Sequence, residues 1–259
     1  MTKFELEVQE RIAHAQSNAA LADAAAVFMQ RSISSAYSYN FFWLGRPIIQ
    51  YPQDIVALQE LVWRVRPDVI VETGIAHGGS LILSASLLAL LDLCEATEAG
   101  TVLDPARPLR RVIGVDIDIR AHNHAAIRAH PMSSRITMVQ GSSVDPAVIA
   151  KIREAVGGAK RVLVCLDSNH THEHVFAELE AYAPMVTPGS YCIVFDTVVE
   201  DLPPDMYPGR PWKPGNSPKS AVRAWLSSHP EFEVDHVIDA KLQISVAPEG
   251  FLRRKDGAS

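Results

Sequence analysis

Five short apolar runs in this sequence each end in an acidic or polar residue. Val69–Val71 leads to Glu72, Arg111–Val115 to Asp116, Ile136–Val139 to Gln140, Arg161–Leu166 to Asp167, and Ser190–Phe195 to Asp196. Runs of this length, rich in Val and Ile, predict strands buried on both faces. In an open parallel sheet a ligand lies outside the carboxyl ends of the strands, where these side chains would gather. Aspartate favours turns in any protein, so one such ending says little. Five of them together outline the rim of a crevice.

The chemistry differs from one ending to the next. Glu72 precedes a glycine turn, Gly74-x-x-x-Gly78-Gly79-Ser80, which opens the helix-like run Leu81 to Leu91. Strand, glycine turn and helix form a cradle for a nucleotide-like ligand, with backbone N–H groups and a helix N-terminus facing it. The spacing is not the G-x-G-x-x-G of dinucleotide binders, and no G-x-x-x-x-G-K-[ST] phosphate loop occurs. A carboxylate at the turn repels a pyrophosphate but suits the ammonium of an amino-acid-bearing cofactor such as S-adenosylmethionine (SAM). Asp116, with Asp118 two residues on, can hold ribose hydroxyls, although Asp118 fits a helix N-cap equally well. Gln140 and Ser142, with Ser143 beside them, stand where an adenine ring would be read, and Asp145 is the more natural cap for the helix after Pro146.

Asp167 and Asp196 would end neighbouring strands, close enough to share one hard divalent cation such as Mg2+. Such an ion lowers the pKa of a substrate hydroxyl and readies it to attack an electrophilic methyl group. The competing reading makes Asp167 a helix cap and Asp196 a loop residue. His170 lies three residues beyond Asp167 and suits a general base at neutral pH. His172 and His174 fit a solvated helix face better than a metal site, because H-x-H-x-H alone is a weak signal for zinc.

The elements that must hold these groups alternate. Helices are expected over Asp54–Arg66, Gly79–Leu93, Arg120–Arg128, Pro146–Val156 and His172–Ala183, between and around the five strands. Upstream, residues 4–30 read as one alanine-rich helix. The aromatic-rich stretch Tyr37–Tyr51 reads as an irregular segment that packs on the sheet or covers the crevice. Downstream, a proline-rich loop fills 198–218, with Tyr207 and Trp212 placed to close over a substrate. A helix over Pro218–Ser228 comes next, then strands Phe232–Ile238 and Leu242–Val246. The three residues between those strands allow only an antiparallel hairpin. The expected fold class is α/β: a Rossmann-like, mostly parallel seven-stranded sheet with its last strand antiparallel and helices on both faces. An N-terminal helical and aromatic extension, 1–52, would precede a SAM-binding domain over 53–259.

Composition narrows the partners. The 259 residues are 47% hydrophobic, enough for a full core, and carry 24 basic against 30 acidic residues, a net charge of −6. No basic run exceeds Arg253-Arg254-Lys255, so a nucleic-acid surface is not expected. The charged N-terminus does not read as a signal peptide, and the apolar stretch Leu81–Leu93 is too short to span a bilayer. Cys94, Cys165 and Cys192 lack metal or redox spacing and read as reduced packing residues. The expectation is a cytoplasmic protein acting on a small hydroxylated molecule, its exposed aromatics favouring a homo-oligomer.

Several segments carry a family likeness: Val69-Ile-Val-Glu-Thr-Gly with Gly78-Gly79-Ser80, Val112-Ile-Gly-Val-Asp-Ile-Asp118, Val139-Gln-Gly-Ser142, Leu166-Asp-Ser-Asn-His-Thr-His172, Gly189-Ser-Tyr with Phe195-Asp-Thr197, and upstream Trp43-x-Gly-x-Pro-Ile-x-Gln-x-Pro52. Together they resemble the cephalosporin-hydroxylase-like family, whose members look like SAM- and magnesium-dependent O-methyltransferases related to rhamnosyl and macrolide-sugar O-methyltransferases. The resemblance implies that Glu72, Gly74 and Asp116 touch SAM and that Asp167 and Asp196 bind the metal. The family commonly places two acids in a row at the end of the fifth strand. Here the first is Phe195, which leaves waters or Thr197 to complete the metal shell.

Methyl transfer to a sugar or similar hydroxyl is therefore the expected activity, with His170 and Asp167 catalytic. A non-catalytic or metal-independent SAM-binding protein is the alternative that Phe195 favours. A nicotinamide oxidoreductase fits less well, for want of a G-x-G turn.

Overall fold

The computed structural model describes residues 1–257. Its centre is a seven-stranded sheet in the order β5–β4–β3–β6–β7–β9–β8. The strands are β3 (Val69–Thr73), β4 (Arg111–Asp116), β5 (Ile136–Gln140), β6 (Val162–Leu166), β7 (Tyr191–Val194), β8 (Phe232–Val234) and β9 (Phe251–Arg254). Strands β5, β4, β3, β6 and β7 pair in parallel, while β9 runs antiparallel to both β7 and β8. The last strand is thus reversed, as expected from the sequence.

Alternate residues of each strand feed two separate cores. Ile70, Val112, Leu163, Cys165 and Ile193 pack with α3 (Pro52–Val65) and α4 (Gly79–Ala99) on one face. Val71, Ile113, Val164, Leu166 and Val194 pack on the other with α6 (Pro146–Val156), α7 (His172–Tyr182) and α8 (Pro218–Leu226). Burial on both faces is why these strands read as unbroken apolar runs rather than as an alternation. The parallel register also brings the strand tips level: Thr73 lies opposite Val115 and Leu166, and Asp116 opposite Gln140.

Four expectations are corrected. The N-terminal helix is two helices, α1 (Lys3–Gln16) and α2 (Ala19–Ser34), because Asn18 accepts the N–H of Leu21 and starts a second helix. The irregular stretch contains a 3-10 turn and a hairpin, β1 (Phe41–Trp43) with β2 (Arg46–Ile48). Helix α4 runs for 21 residues, long and apolar enough by composition to cross a membrane, but most of it is buried against the sheet. Finally, Leu242–Val246 is not a strand. Helix α9 (His236–Leu242) occupies the supposed hairpin, and Asp54 pins the segment that follows, accepting from the Ser245 hydroxyl at 2.6 Å and the Val246 N–H at 3.1 Å. The apolar residues there pack against the core as a connection, Val246 buried and Leu242 and Ile244 partly so, and the true last strand begins at Phe251.

Candidate functional site

A cleft of about 600 Å³ opens at the carboxyl ends of β3, β6 and β7. The glycine turn forms its floor. Gly74 has φ +88°, and a Cβ there would lie 2.0 Å from the carbonyl oxygen of Asp167, so the β3 and β6 tips can meet only over a glycine. A Cβ on Gly79 would lie 2.2 Å from the Pro47 carbonyl, so the start of α4 likewise sits directly under the N-terminal hairpin. Ser80 follows Gly79 on the cleft wall. The turn is clamped from two sides. Asp116 accepts the N–H of Ile75 at 2.7 Å and of Ala76 at 3.2 Å, and its other oxygen accepts from Asp118. Arg46 donates to the carbonyl of His77 and to Asn123, which itself donates to the carbonyl of Ala76.

Glu72 is 3% exposed at the end of β3 and accepts from the Ser84 hydroxyl. Burial raises its pKa to about 7, an effect that the hydrogen bonds from Ser84 and Ser80 only partly offset. It lies with Asp54 and Asp167 around a small hollow behind the cleft. Burial also pushes the Asp167 carboxyl well above the usual range, reinforced by the negative charges of Asp196, Glu72, Glu178 and Asp54. A cationic ligand would reverse that penalty.

Asp167, His170 and Asp196 meet beyond the ends of β6 and β7, their ligand atoms all within 4.8 Å of one another. His170 Nε2 stands 3.2 Å from Asp196 Oδ2. Asp196 has φ +54°, a left-handed turn that lifts its side chain off the end of β7. Donors at such separations suit one divalent ion bound at 2.0–2.6 Å. The shell expected from the sequence needs revision, however. Thr197 is fully buried and donates to the Pro248 carbonyl at 2.7 Å, so it is not available to an ion. Phe195 packs into the core at 7% exposure. His170 is the third group at this point, its Nε2 turned toward Asp196.

The remaining expected residues lie outside the cleft lining. Gly78, with φ +84°, shapes the turn from behind, where a Cβ would strike Ile127. Asp118 is exposed beyond β4, and helix α5 (Ala121–Arg128) has no side-chain cap, so Asp118 does not serve as one. Gln140 is exposed and Ser142 half-buried, while Asp145 caps α6 through the N–H of Ala147. His172 and His174 are not on a solvated face. His174 Nε2 lies within 3.2 Å of the hydroxyls of Ser143 and Ser168, joining the loops after β5 and β6, and His172 Nδ1 lies 2.8 Å from Ser220.

The upper wall comes from both ends of the chain. Ile33, Tyr39 and Pro47 through Tyr51 line it from the N-terminal side. Met206, Tyr207, Arg210 and Trp212 line it from the proline-rich loop. Trp212 meets the His170 ring edge-on, with centroids 4.8 Å apart, and Arg210 lies over the Trp212 ring. Sequence reasoning named Tyr207 and Trp212 but gave no role to Arg46, Gln50 or Asn123. Arg46 and Gln50 fall within the quoted segment Trp43–Pro52, and Asn123 carries no signal in its own neighbourhood.

The chain has relatives of known sequence and structure. Rhamnosyl O-methyltransferase of Mycobacterium leprae is 25% identical over 217 residues, covering 82% of each chain. Its counterpart in Mycobacterium tuberculosis is 27% identical over 205 residues, 78% of this chain and 73% of that one. Among solved structures, CmcI with Mg and SAM has a TM-score of 0.54 at 21% identity, covering 83% of this chain and 77% of that chain. Apo CmcI gives the same TM-score at 20% identity, covering 85% and 78%. The family model described as rhamnosyl O-methyltransferase/CmcI matches residues 35–255, most of the chain, and the protein belongs to that family.

Proposed function

We propose that this protein transfers the methyl group of SAM to a hydroxyl of a sugar or a similar small hydroxylated molecule. The observation that carries the reading is the meeting of Asp167, His170 and Asp196 beside the glycine turn in one cleft. SAM would lie along Gly74 and Ser80, on the turn that Gly78 shapes from behind, with its aminoacyl end at the N-terminus of α4. Glu72 would face its cationic end. Asp116 spends its carboxylate on three backbone donors and keeps lone-pair capacity for a ribose hydroxyl, with Asp118 beside it. Gln140 and Ser142 would flank the adenine.

Asp167 and Asp196 would hold Mg2+, with His170 in reach, and the ion supplies positive charge that acidifies the acceptor hydroxyl. Asp196 would orient the His170 ring, and His170 would take the hydroxyl proton. The acceptor oxygen then forms its bond to the methyl carbon as the carbon–sulfur bond breaks, leaving a neutral thioether. Trp212 and Tyr207 close over the acceptor and exclude water.

The direct test is transfer of a labelled methyl group from SAM to a panel of rhamnosides and other sugars, with and without chelator. Methylated product that disappears on chelation is expected. No turnover, together with no rise in melting temperature on adding SAM, overturns the reading. The burial of Phe195 where a second acid would stand supports one other reading, a SAM-binding protein that works without metal. Calorimetry with Mg2+ separates the two. We further take residues 1–52 as an extension that completes the cleft, the cytoplasm as the site of action, and the exposed Phe4, Phe28, Phe42 and Leu44 as surface for self-association. Light scattering checks the last point.

A further inference from the structure

Among the described residues lining the cleft, only Gln50 has a buried side-chain atom without a hydrogen-bond partner, its Oε1. It lies between β2 and α3 and is 6% exposed. Its amide nitrogen is 3.5 Å from Asp167 Oδ2. That contact sets the sense of the amide, because turning it over would aim a carbonyl at a carboxylate. Oε1 therefore faces away from Asp167, enclosed and unsatisfied. Such an atom needs a donor.

The surroundings say which kind of donor. Gln50 lines both the cleft and the hollow of about 20 Å³ behind it, where Asp54, Glu72 and Asp167 stand among apolar residues such as Leu58, Leu83 and Phe195. Among the described residues, no lysine or arginine lines the hollow. Three carboxylates and an orphaned carbonyl set among apolar side chains, with no cation of their own, fit a compact positive group bearing several N–H donors. Gly74 and Ser80 line both spaces as well, so the hollow adjoins the stretch where the aminoacyl tail would run.

We propose that Gln50 is a cofactor-binding residue whose side-chain carbonyl accepts one N–H of the SAM ammonium, while its NH2 holds Asp167 alongside. This rests on reading the cleft as a SAM site. Its consequence is that Gln50 senses the aminoacyl tail of the ligand and not the adenosine.

The test measures the Kd of the product S-adenosylhomocysteine and of 5′-methylthioadenosine, which keeps the adenosine and thioether but lacks the tail. In Gln50→Met, nearly the same shape without the acceptor, S-adenosylhomocysteine should bind about 10- to 100-fold more weakly, the range for a lost charge-assisted hydrogen bond. Methylthioadenosine should bind as it does to the wild type. Gln50→Glu keeps an acceptor at the same reach and should retain product binding within a few-fold. Equal product affinity in wild type and Gln50→Met overturns the proposal, since a trapped water would then serve Oε1. Parallel loss of both ligands, or loss in Gln50→Glu as well, also overturns it, because the side chain would then matter only for packing. If the wild type binds neither ligand, the SAM reading of the cleft falls first and takes this inference with it.

Discussion

The tips of β4 and β6 both end in aspartate, yet the two carboxylates do opposite work. Asp116 accepts three backbone N–H groups, two of them from the glycine turn itself. Asp167 has only a long contact from Gln50, and Asp196 beside it only the edge of His170. One tip is satisfied by the protein and holds the turn in shape. The other presents charge that the protein leaves uncompensated, which costs stability and awaits a cation. Unused hydrogen-bonding capacity, more than residue type, separates the scaffold from the site.

Exchanging the two carboxylates for amides should separate these roles, and it carries the largest effects. Asp167→Asn should cut methyl transfer by about 100-fold or more, several kcal/mol of charge stabilisation being at stake. Its apo melting temperature should hold or rise, because a carboxyl beside other carboxylates has been removed. Asp116→Asn should do the reverse, losing about 1–3 kcal/mol of stability because one amide oxygen cannot satisfy three donors. Mg2+ affinity by calorimetry and denaturant unfolding read the two effects separately. If Asp167→Asn proves the less stable of the pair, the comparison is wrong.

A second effect, confined to stability, should appear in the pH dependence of the apo protein. Burial raises both Asp54 and Glu72 to about 7, whereas an unfolded chain leaves them near 4. The folded state therefore binds more protons than the unfolded state between those values. Their contribution to stability is fully present below about pH 4 and is lost as pH rises through about 7. For Asp54 the loss should be about 2–4 kcal/mol. Asp54→Asn should flatten that part of the curve, seen as a smaller drop in Tm from pH 5 to pH 8 than in the wild type. An unchanged slope would show that Asp54 is already ionised in the fold.

The contrast between tips also marks what sequence could convey. The parallel strands were legible because burial on both faces leaves unbroken runs of Val, Ile and Leu, and the acids at their ends followed at once. The edge of the sheet was not legible. Residues 242–246 are as apolar as a strand, but Asp54, some 190 positions away, fixes them as a buried connection. The same limit applies inside the site. Nothing local to Asp116 reveals that the turn after β3 would occupy one of its carboxylate oxygens, and nothing local to Gln50 shows its orphaned oxygen. His170 was legible by its distance from Asp167, but its approach to Asp196 depends on the left-handed turn at Asp196. Chemistry-bearing residue types are written locally, and the partners that satisfy them are supplied by the fold.

The smallest expected effect concerns the wall that closes the cleft, where the two tips should differ once more. Trp212 touches His170 on the β6 side, whereas Asp116 is engaged by the N–H groups of Ile75, Ala76 and Asp118. Trp212→Leu removes an aromatic edge contact worth about 0.5–1.5 kcal/mol. It should therefore raise the KM for the acceptor roughly 3- to 10-fold and lower kcat modestly, as His170 loses a neighbour that limits its ring motion. The Kd for SAM, set by the turn that Asp116 holds, should not change. Steady-state kinetics with the acceptor varied at saturating SAM, alongside a direct cofactor titration, distinguishes the outcomes. A matched weakening of SAM and acceptor would mean that the proline-rich loop closes over both ligands as one unit, and the division between the satisfied tip and the open one would not extend to substrate binding.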